Sequence, residues 1–244
     1  MKNNPIDLVK KSSKGQVKDF NEIKLNEDDF SISDLEDKNS SYYNIIRQIL
    51  DSASGCQVSD AYSTISGRSG VIHGLKPMNY KKVYGRAFTV KTNTDDWGTS
   101  VMAIDEAKEG EILFIYTYGK TASVWGELAS TCAEESGIAG TVLYGYARDM
   151  DALVDLDFPV YALDYVPNAG KALGLGELNV DLEIGEDIVK PGDFIFADEN
   201  GVVVIPETLF SKTVVATLGV KIKENNIIKE LKDGKSLAEI VGLK

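Results

Sequence analysis

Residues 111–146, EILFIYTYGKTASVWGELASTCAEESGIAGTVLYGY, place two short runs of β-branched and aromatic residues on either side of a stretch with helical periodicity. EILFIYTY (111–118) and GTVLYGY (140–146) read as strands. SVWGELASTCAEESG (123–137) reads as a helix with Val124, Leu128, Cys132 and Ala133 on one face, so Cys132 is expected in the core. Such alternation implies a mixed α/β layer structure.

The same pattern extends outward. VYGRAFTVKT (83–92) and FPVYALDY (158–165) are further predicted strands, and TSVMAIDEAKEG (99–110) is a predicted helix ahead of the second strand. The compact part starts at Tyr43, where YNIIRQILDSAS has apolar spacing near 3.6 and ends at Gly55 as a helix would. DFIFADENGVVVIP (193–206) reads as a hairpin, with Asn200-Gly201 expected to supply the positive φ angles of a tight turn. Residues 207–234 read as helix with an interruption near Gly219, and KSLAEIVGL adds a last turn. The first forty residues are polar and densely charged. They form an arm that is either partly disordered or laid across another subunit through Phe20, Ile23, Leu25 and Phe30. The expected division is a polar extension over 1–41, an α/β core over 42–206 and a helical extension over 207–244.

Composition narrows the function. Among 244 residues, 43% hydrophobic, 38 acidic against 26 basic side chains give a formal charge of −12. That charge opposes adsorption to DNA, RNA or anionic lipid, so neither nucleic acid nor membrane is an expected partner. MKNNPIDLVKKSSKG lacks an apolar signal region and no run approaches the roughly 18–20 apolar residues of a membrane helix, so a cytoplasmic protein is expected. Two distant cysteines, Cys56 and Cys132, suggest neither a disulfide framework nor a cysteine zinc site. A lone histidine, His73, excludes a histidine-cluster metal site. GKALGLGEL (170–178) matches neither a P-loop nor a dinucleotide fingerprint.

The remaining chemistry is acidic and oxygen-rich, which suits a hard divalent cation held by one or two carboxylates plus water. In GTVLYGYARDMDAL (140–153) a strand runs out into Arg148 and Asp149, where ligand-binding residues commonly lie. Asp149 could hold a metal and Arg148 a carboxylate; equally, Asp149 could be a helix-start acid beside a surface Arg. Gly126 and Glu127 stand near a helix start, where unpaired amides attract an anion.

Taken in order, VSDA (58–61), GRAFTV (85–90), WGELA (125–129), GIAGTVLYGYARD (137–149), FPVYA (158–162) and KPGDFIFADENGVVVIP (190–206) resemble the RraA-like family. That family comprises regulators of ribonuclease activity A and 4-hydroxy-4-methyl-2-oxoglutarate aldolases. The resemblance implies a layered α/β/β/α sandwich of the swivelling phosphohistidine-domain type, with a C-terminal helical extension. The aldolases carry an acidic residue, twenty intervening residues and then Arg-Asp; here Glu127 and Arg148-Asp149 keep that spacing, with Glu in place of Asp. By the resemblance Asp149 contacts Mg2+ or Mn2+, and Arg148 binds the oxo-acid oxygens. Backbone amides around Gly126, Leu128 and Ala129 hold the substrate carboxylate, and Glu127 orients water. A trimer or dimer of trimers is implied, with Glu224 either reaching a neighbour's site or standing as a solvated helix residue. The implied activity is a class II, metal-dependent lyase that cleaves a carbon–carbon bond of a small 2-oxo acid through an enolate. It would release pyruvate by retro-aldol cleavage or decarboxylate an oxaloacetate-like compound. A non-catalytic regulator that binds an RNA-processing enzyme is the alternative. A methyltransferase is disfavoured by the lack of a Gly-rich loop for S-adenosylmethionine. Tyr118, Lys120, Tyr146, Lys171 and His73 are candidates to line the part of the pocket that takes the substrate's side group.

Overall fold

The computed structural model describes residues 20–119 and 121–244. Lys120 and residues 1–19 lie outside the described residues. In chain order, α1 (Ser33–Glu36), α2 (Tyr43–Ser52) and α3 (Gly55–Ser66) precede β1 (Lys76–Pro77) and β2 (Val83–Asn93). There follow α4 (Gly98–Glu106), β3 (Ile112–Tyr118), β4 (Ser123–Trp125), α5 (Glu127–Glu135), β5 (Gly140–Ala147), α6 (Met150–Leu153) and β6 (Val160–Tyr165). The last part holds β7 (Glu177–Leu178), β8 (Leu182–Ile184), β9 (Asp187–Val189), β10 (Phe194–Asp198), β11 (Gly201–Ile205), α7 (Phe210–Lys232) and α8 (Leu237–Ile240).

The main sheet runs β1-β6-β5-β3-β2-β10-β11. Its centre, β2, β3, β5 and β6, is parallel, while β1 and the β10–β11 hairpin are antiparallel additions at the two ends. Those ends approach each other, so the sheet is nearly closed. Side-chain alternation then builds the layers, because successive residues of a strand face opposite sides. On β3, Leu113 and Ile115 face the core under α4 and α5, whereas Ile112 and Phe114 face the interior between the sheet's two halves. On β10 and β11, Ile195, Ala197, Val202 and Val204 face that same interior, while Phe194, Phe196, Val203 and Ile205 meet α2, α3 and α7. Both faces of these strands are covered, which is why they read as continuous apolar runs. The result is the expected α/β/β/α arrangement with a C-terminal helix.

Local details depart from the sequence reading. Gly55 does not close α2. That helix ends at Ser52, and Ser54 caps α3 in a reciprocal capping box with Gln57. Glycine is required at 55 because a β-carbon there would lie 2.8 Å from Oδ1 of buried Asp198, whose other oxygen accepts from the Gly55 amide at 2.7 Å. In the hairpin the two turn residues are Glu199 and Asn200. Of Asn200 and Gly201 only Gly201 has positive φ, and the Asp198 carboxylate accepts from the Asn200 amide at 2.9 Å. Gly219 does not interrupt α7, which continues through it for 23 residues. An exposed mid-helix glycine costs only about 1 kcal/mol, less than the packing of the flanking turns supplies.

The proposed face of α5 is also corrected. Val124 belongs to β4, and Leu128 and Cys132 are exposed; Ser130 and Ala133 are the residues turned inward. Small residues there let the helix lie close on the sheet. Phe20, Ile23, Leu25 and Phe30 pack on this chain's own α2, α3 and α7 core, together with buried Ile32 and Leu35. Arg86 secures that segment, with its guanidinium 2.6 Å from both Glu36 and Glu207 and 3.1 Å from the Ser33 hydroxyl. No helix among the described residues is long and apolar enough to cross a membrane.

Candidate active site

β4 is three residues long, yet it sets the site. It pairs in parallel beside the C-terminal end of β5, with Trp125 opposite Ala147, and the Arg148 amide donates to the Trp125 carbonyl at 3.0 Å. The next residues along each strand, Gly126 and Arg148-Asp149, are therefore held side by side at the C-terminal edge of the parallel sheet, where open α/β sheets bind ligands. A β-carbon on Gly126 would sit 2.5 Å from Asp149 Oδ2 and 2.8 Å from Arg148 Cγ. Only glycine permits that approach.

Asp149 precedes α6 but does not cap it. Its backbone is left-handed (φ 57°, ψ 46°), and its side chain makes no capping hydrogen bond. This conformation costs an L-residue roughly 1–2 kcal/mol. The carboxylate turns away from α6: Oδ1 accepts from Arg148 Nε at 2.9 Å, and Oδ2 accepts from the Glu127 amide at 3.2 Å. Strain of this kind at a cleft is a pointer to function. Arg148 and Asp149 are both partly open to solvent. Asp149 thus makes no capping bond to α6 and stands instead at the start of α5, where it accepts from the Glu127 amide.

Gly126, Leu128, Ala129, Arg148 and Asp149 line one cleft of about 270 Å³. Glu127 joins it through its amide, while its side chain is exposed and is not part of the lining. The first-turn amides of α5 lie at the cleft, and such amides have no partner within their own helix. The other walls are Trp97 and Val101 from the start of α4, Ser123, Val124 and Trp125 from β4, and Ala169. Sequence reasoning missed Trp97, Val101 and Ala169, because the start of α4 and the loop at 169 that deliver them carry no motif. Tyr118, Tyr146, Lys171 and His73 do not line the cleft. Glu224 lies elsewhere in the chain, on α7 against α3, where it accepts from Gln57 Nε2 at 2.5 Å.

Beneath the α4 wall is a carboxylate that no sequence motif singles out. Asp96 is fully buried. It accepts from the Thr99 hydroxyl at 2.6 Å and from the amides of Leu173, Gly174 and Leu175 at 3.1, 2.8 and 2.8 Å. Burial alone would raise its pKa, but these donors outweigh it and hold the carboxyl well below the usual carboxylate range. The glycine-rich 170–178 stretch is thereby explained as a close-packed clamp. A β-carbon on Gly98 would meet the Leu173 and Gly174 amides at 2.8 Å, and one on Gly170 would meet the Asp95 backbone at 2.4 Å.

Comparison with known proteins identifies the family and the fold. The RraA-like family model, described as Aldolase/RraA, matches residues 55–204. An uncharacterized protein of Methanocaldococcus jannaschii is 40% identical over 176 residues, covering 70% of this chain and 85% of its own. A Halalkalibacterium halodurans protein provisionally named 4-hydroxy-4-methyl-2-oxoglutarate aldolase is 34% identical over 152 residues, 62% of this chain and 71% of its own. Among solved structures, an uncharacterized Pseudomonas syringae protein superposes with a TM-score of 0.73 at 25% identity over 82% of this chain and 94% of that one. The RNA-processing inhibitor RraA of Thermus thermophilus gives 0.56 at 26% over 61% and 92%. The strand-end Arg148-Asp149 pair, the glycine that admits it and the nearly closed sheet thus sit within the matched region, and the chain belongs to the RraA-like family.

Proposed function

We propose that this protein is a lyase that cleaves the carbon–carbon bond of a small 4-hydroxy-2-oxo acid and releases pyruvate, with a divalent cation held at Asp149. The observation that carries this reading is the Asp149 carboxylate, set by a left-handed backbone at the strand end beside Arg148 and the start of α5. Its donor set fits Mg2+ or Mn2+, which accept one or two carboxylates and complete their shell with water and substrate oxygens. No group of three or more His, Cys, Asp or Glu gathers among the described residues, so a closed zinc-type site does not fit. When bound, the cation supplies Lewis-acid stabilisation of the negative charge that develops on the 2-oxo oxygen.

The chain's own groups do the rest. Arg148, with Nε engaged by Asp149, keeps its terminal N–H groups for the substrate carboxylate and 2-oxo oxygen. The α5 amides at Leu128 and Ala129 add donors that need no reorganisation during reaction. In this reading Glu127, exposed next to Gly126, takes the 4-hydroxyl proton through one water. As that proton leaves, the C3–C4 bond breaks, C4 departs as a carbonyl, and the electron pair forms the enolate of pyruvate, which is protonated at C3. Glu224 would reach this cleft only from a second copy, and exposed Leu128, Met102, Leu173 and Leu175 on α5, α4 and the clamp loop support assembly of such copies.

The test is pyruvate release, coupled to lactate dehydrogenase, from 4-hydroxy-2-oxo acids and from oxaloacetate, after EDTA treatment and again after adding Mg2+ or Mn2+. Metal-restored turnover that is lost in Arg148→Ala is the expected result. Metal-independent turnover, or none, would overturn the reading. A second reading, a regulator that binds a basic RNA-processing enzyme, is favoured by the −12 charge and predicts salt-sensitive binding to such an enzyme without lyase activity.

A further inference from the structure

The donors around the buried Asp96 carboxylate carry no charge. Its Oδ1 accepts from the amides of Thr99, Leu173 and Gly174 at 3.3, 3.1 and 2.8 Å. Its Oδ2 accepts from the Leu175 amide at 2.8 Å and from the hydroxyls of Thr92 and Thr99 at 3.2 and 2.6 Å. Successive amides at 173–175, closed by the first turn of α4, form the kind of concave array that binds free anions. The chain fills that array with its own side chain.

The same backbone carries the cleft. Trp97 follows Asp96 directly; its amide donates to the Lys171 carbonyl at 3.0 Å, and the Lys171 amide returns to the Asp95 carbonyl at 2.6 Å. Two residues earlier, Ala169 bridges to Ser123 of β4. The cleft walls at 97, 101, 123 and 169 therefore hang on one laced unit, and the carboxylate joins its two ends, the start of α4 and the 173–175 turn. All of these bonds lie within one chain.

We propose that Asp96 is a positioning residue: outside the lining and away from the substrate, its two oxygens set Trp97 and Val101 in the arrangement that turnover needs. The turnover part of this proposal rests on the lyase reading above, and the placement of the wall does not. Two acceptor oxygens are required. A side-chain amide of the same shape would turn its NH2 group toward the Leu175 amide in one flip and toward the Thr99, Leu173 and Gly174 amides in the other. Donors left unpaired in the interior push the two segments apart.

Asp96→Gly removes the carboxylate and leaves space for formate, which supplies both oxygens again. At a temperature where the variant is folded, with ionic strength held constant by chloride, kcat/KM for pyruvate release from 4-hydroxy-2-oxo acids with Mg2+ should fall at least tenfold. Formate should restore most of it, saturably, and leave the wild type unchanged. Both tryptophans of the chain, Trp97 and Trp125, line the cleft, so their emission should shift in the variant and return with formate at the same half-saturating concentration as turnover. A folded Asp96→Gly with wild-type kinetics and emission would overturn the proposal, and so would a loss that formate does not reverse. Asp96→Asn keeps the volume and should show the same tenfold loss with no gain from formate; wild-type values in it would overturn the proposal, and it decides alone if Asp96→Gly does not fold. If the wild type cleaves no oxo acid, the lyase reading fails, and the emission of the two variants with and without formate decides the placement of the wall.

Discussion

Gly126 and Asp149 approach so closely that a β-carbon on the first would lie 2.5 Å from Oδ2 of the second. The approach comes from backbone pairing, Trp125 opposite Ala147, and not from side-chain choice. Gly126→Ala should therefore displace the Asp149 carboxylate and the Arg148 side chain together. We expect a loss of at least a hundredfold in kcat/KM, with a stability cost of about 1–3 kcal/mol, read from steady-state kinetics and thermal melts. Wild-type kinetics in this variant would show that the close approach has no bearing on the chemistry.

Asp149 is held in a left-handed conformation that glycine adopts freely. Asp149→Gly and Asp149→Ala should both lose nearly all turnover, yet differ in stability. Both lose the carboxylate's hydrogen bonds, but the glycine variant releases the strain, whereas the alanine variant keeps it. Asp149→Gly should be the more stable of the pair by about 1 kcal/mol in urea denaturation, and the reverse order would contradict the strain argument.

Asp96 links acid stability to the cleft wall. Its carboxyl is held below its ordinary value of 3.8 in the folded chain, so at low pH this group binds fewer protons in the folded chain than in the unfolded one. Its contribution is fully present above about pH 4 and is lost as pH falls through the depressed folded value. Asp96→Ala leaves the amides of Leu173, Gly174 and Leu175 without their acceptor and should cost about 3 kcal/mol at pH 7. The difference from wild type should narrow by pH 3, when denaturation is compared at the two pH values. A difference that does not depend on pH would mean that Asp96 acts through packing alone.

Arg86 joins β2 to the N-terminal segment and to the entry of α7. Its partners Glu36 and Glu207 are about half exposed, at 49% and 52%, so water screens much of the attraction. Arg86→Ala should cost only about 1 kcal/mol globally while speeding proteolysis within residues 20–40. Unchanged cleavage rates would show that apolar packing of Phe30, Ile32 and Leu35 holds the segment by itself.

Gly219 lies exposed within α7, and a β-carbon there would meet nothing within 4 Å. Gly219→Ala should stabilise the protein by about 0.5–1 kcal/mol. A lower melting temperature would mean that the position is covered in the assembled protein.

What could be read beforehand follows from which forces act locally. β3, β5 and the hairpin were legible because strands buried on both faces are apolar along most of their length, and β2 and β6 because their β-branched and aromatic residues are bounded by turn residues. Arg148 and Asp149 were legible because they follow such a strand directly. β4 was hidden, since Ser123-Val124-Trp125 continues the helical spacing of α5 and becomes a strand only by pairing with β5. Asp96 was hidden for a similar reason. TNTDDW reads as a solvated loop, and the amides that bury its carboxylate arrive from nearly eighty residues downstream. Cys132 was misplaced because an apolar spacing cannot tell which stripe of a short helix lies against the sheet.

The short β4–β5 pairing has a consequence for how this scaffold can change. Since main-chain bonds bring Gly126 and the Arg148-Asp149 pair together, the surrounding side chains at 97, 101, 128 and 169 are free to vary without dismantling that arrangement. Descendants of one such fold can then diverge in diet while sharing a single chemical engine. A laboratory library confined to those four positions would sample new substrates with Arg148 and Asp149 left in place.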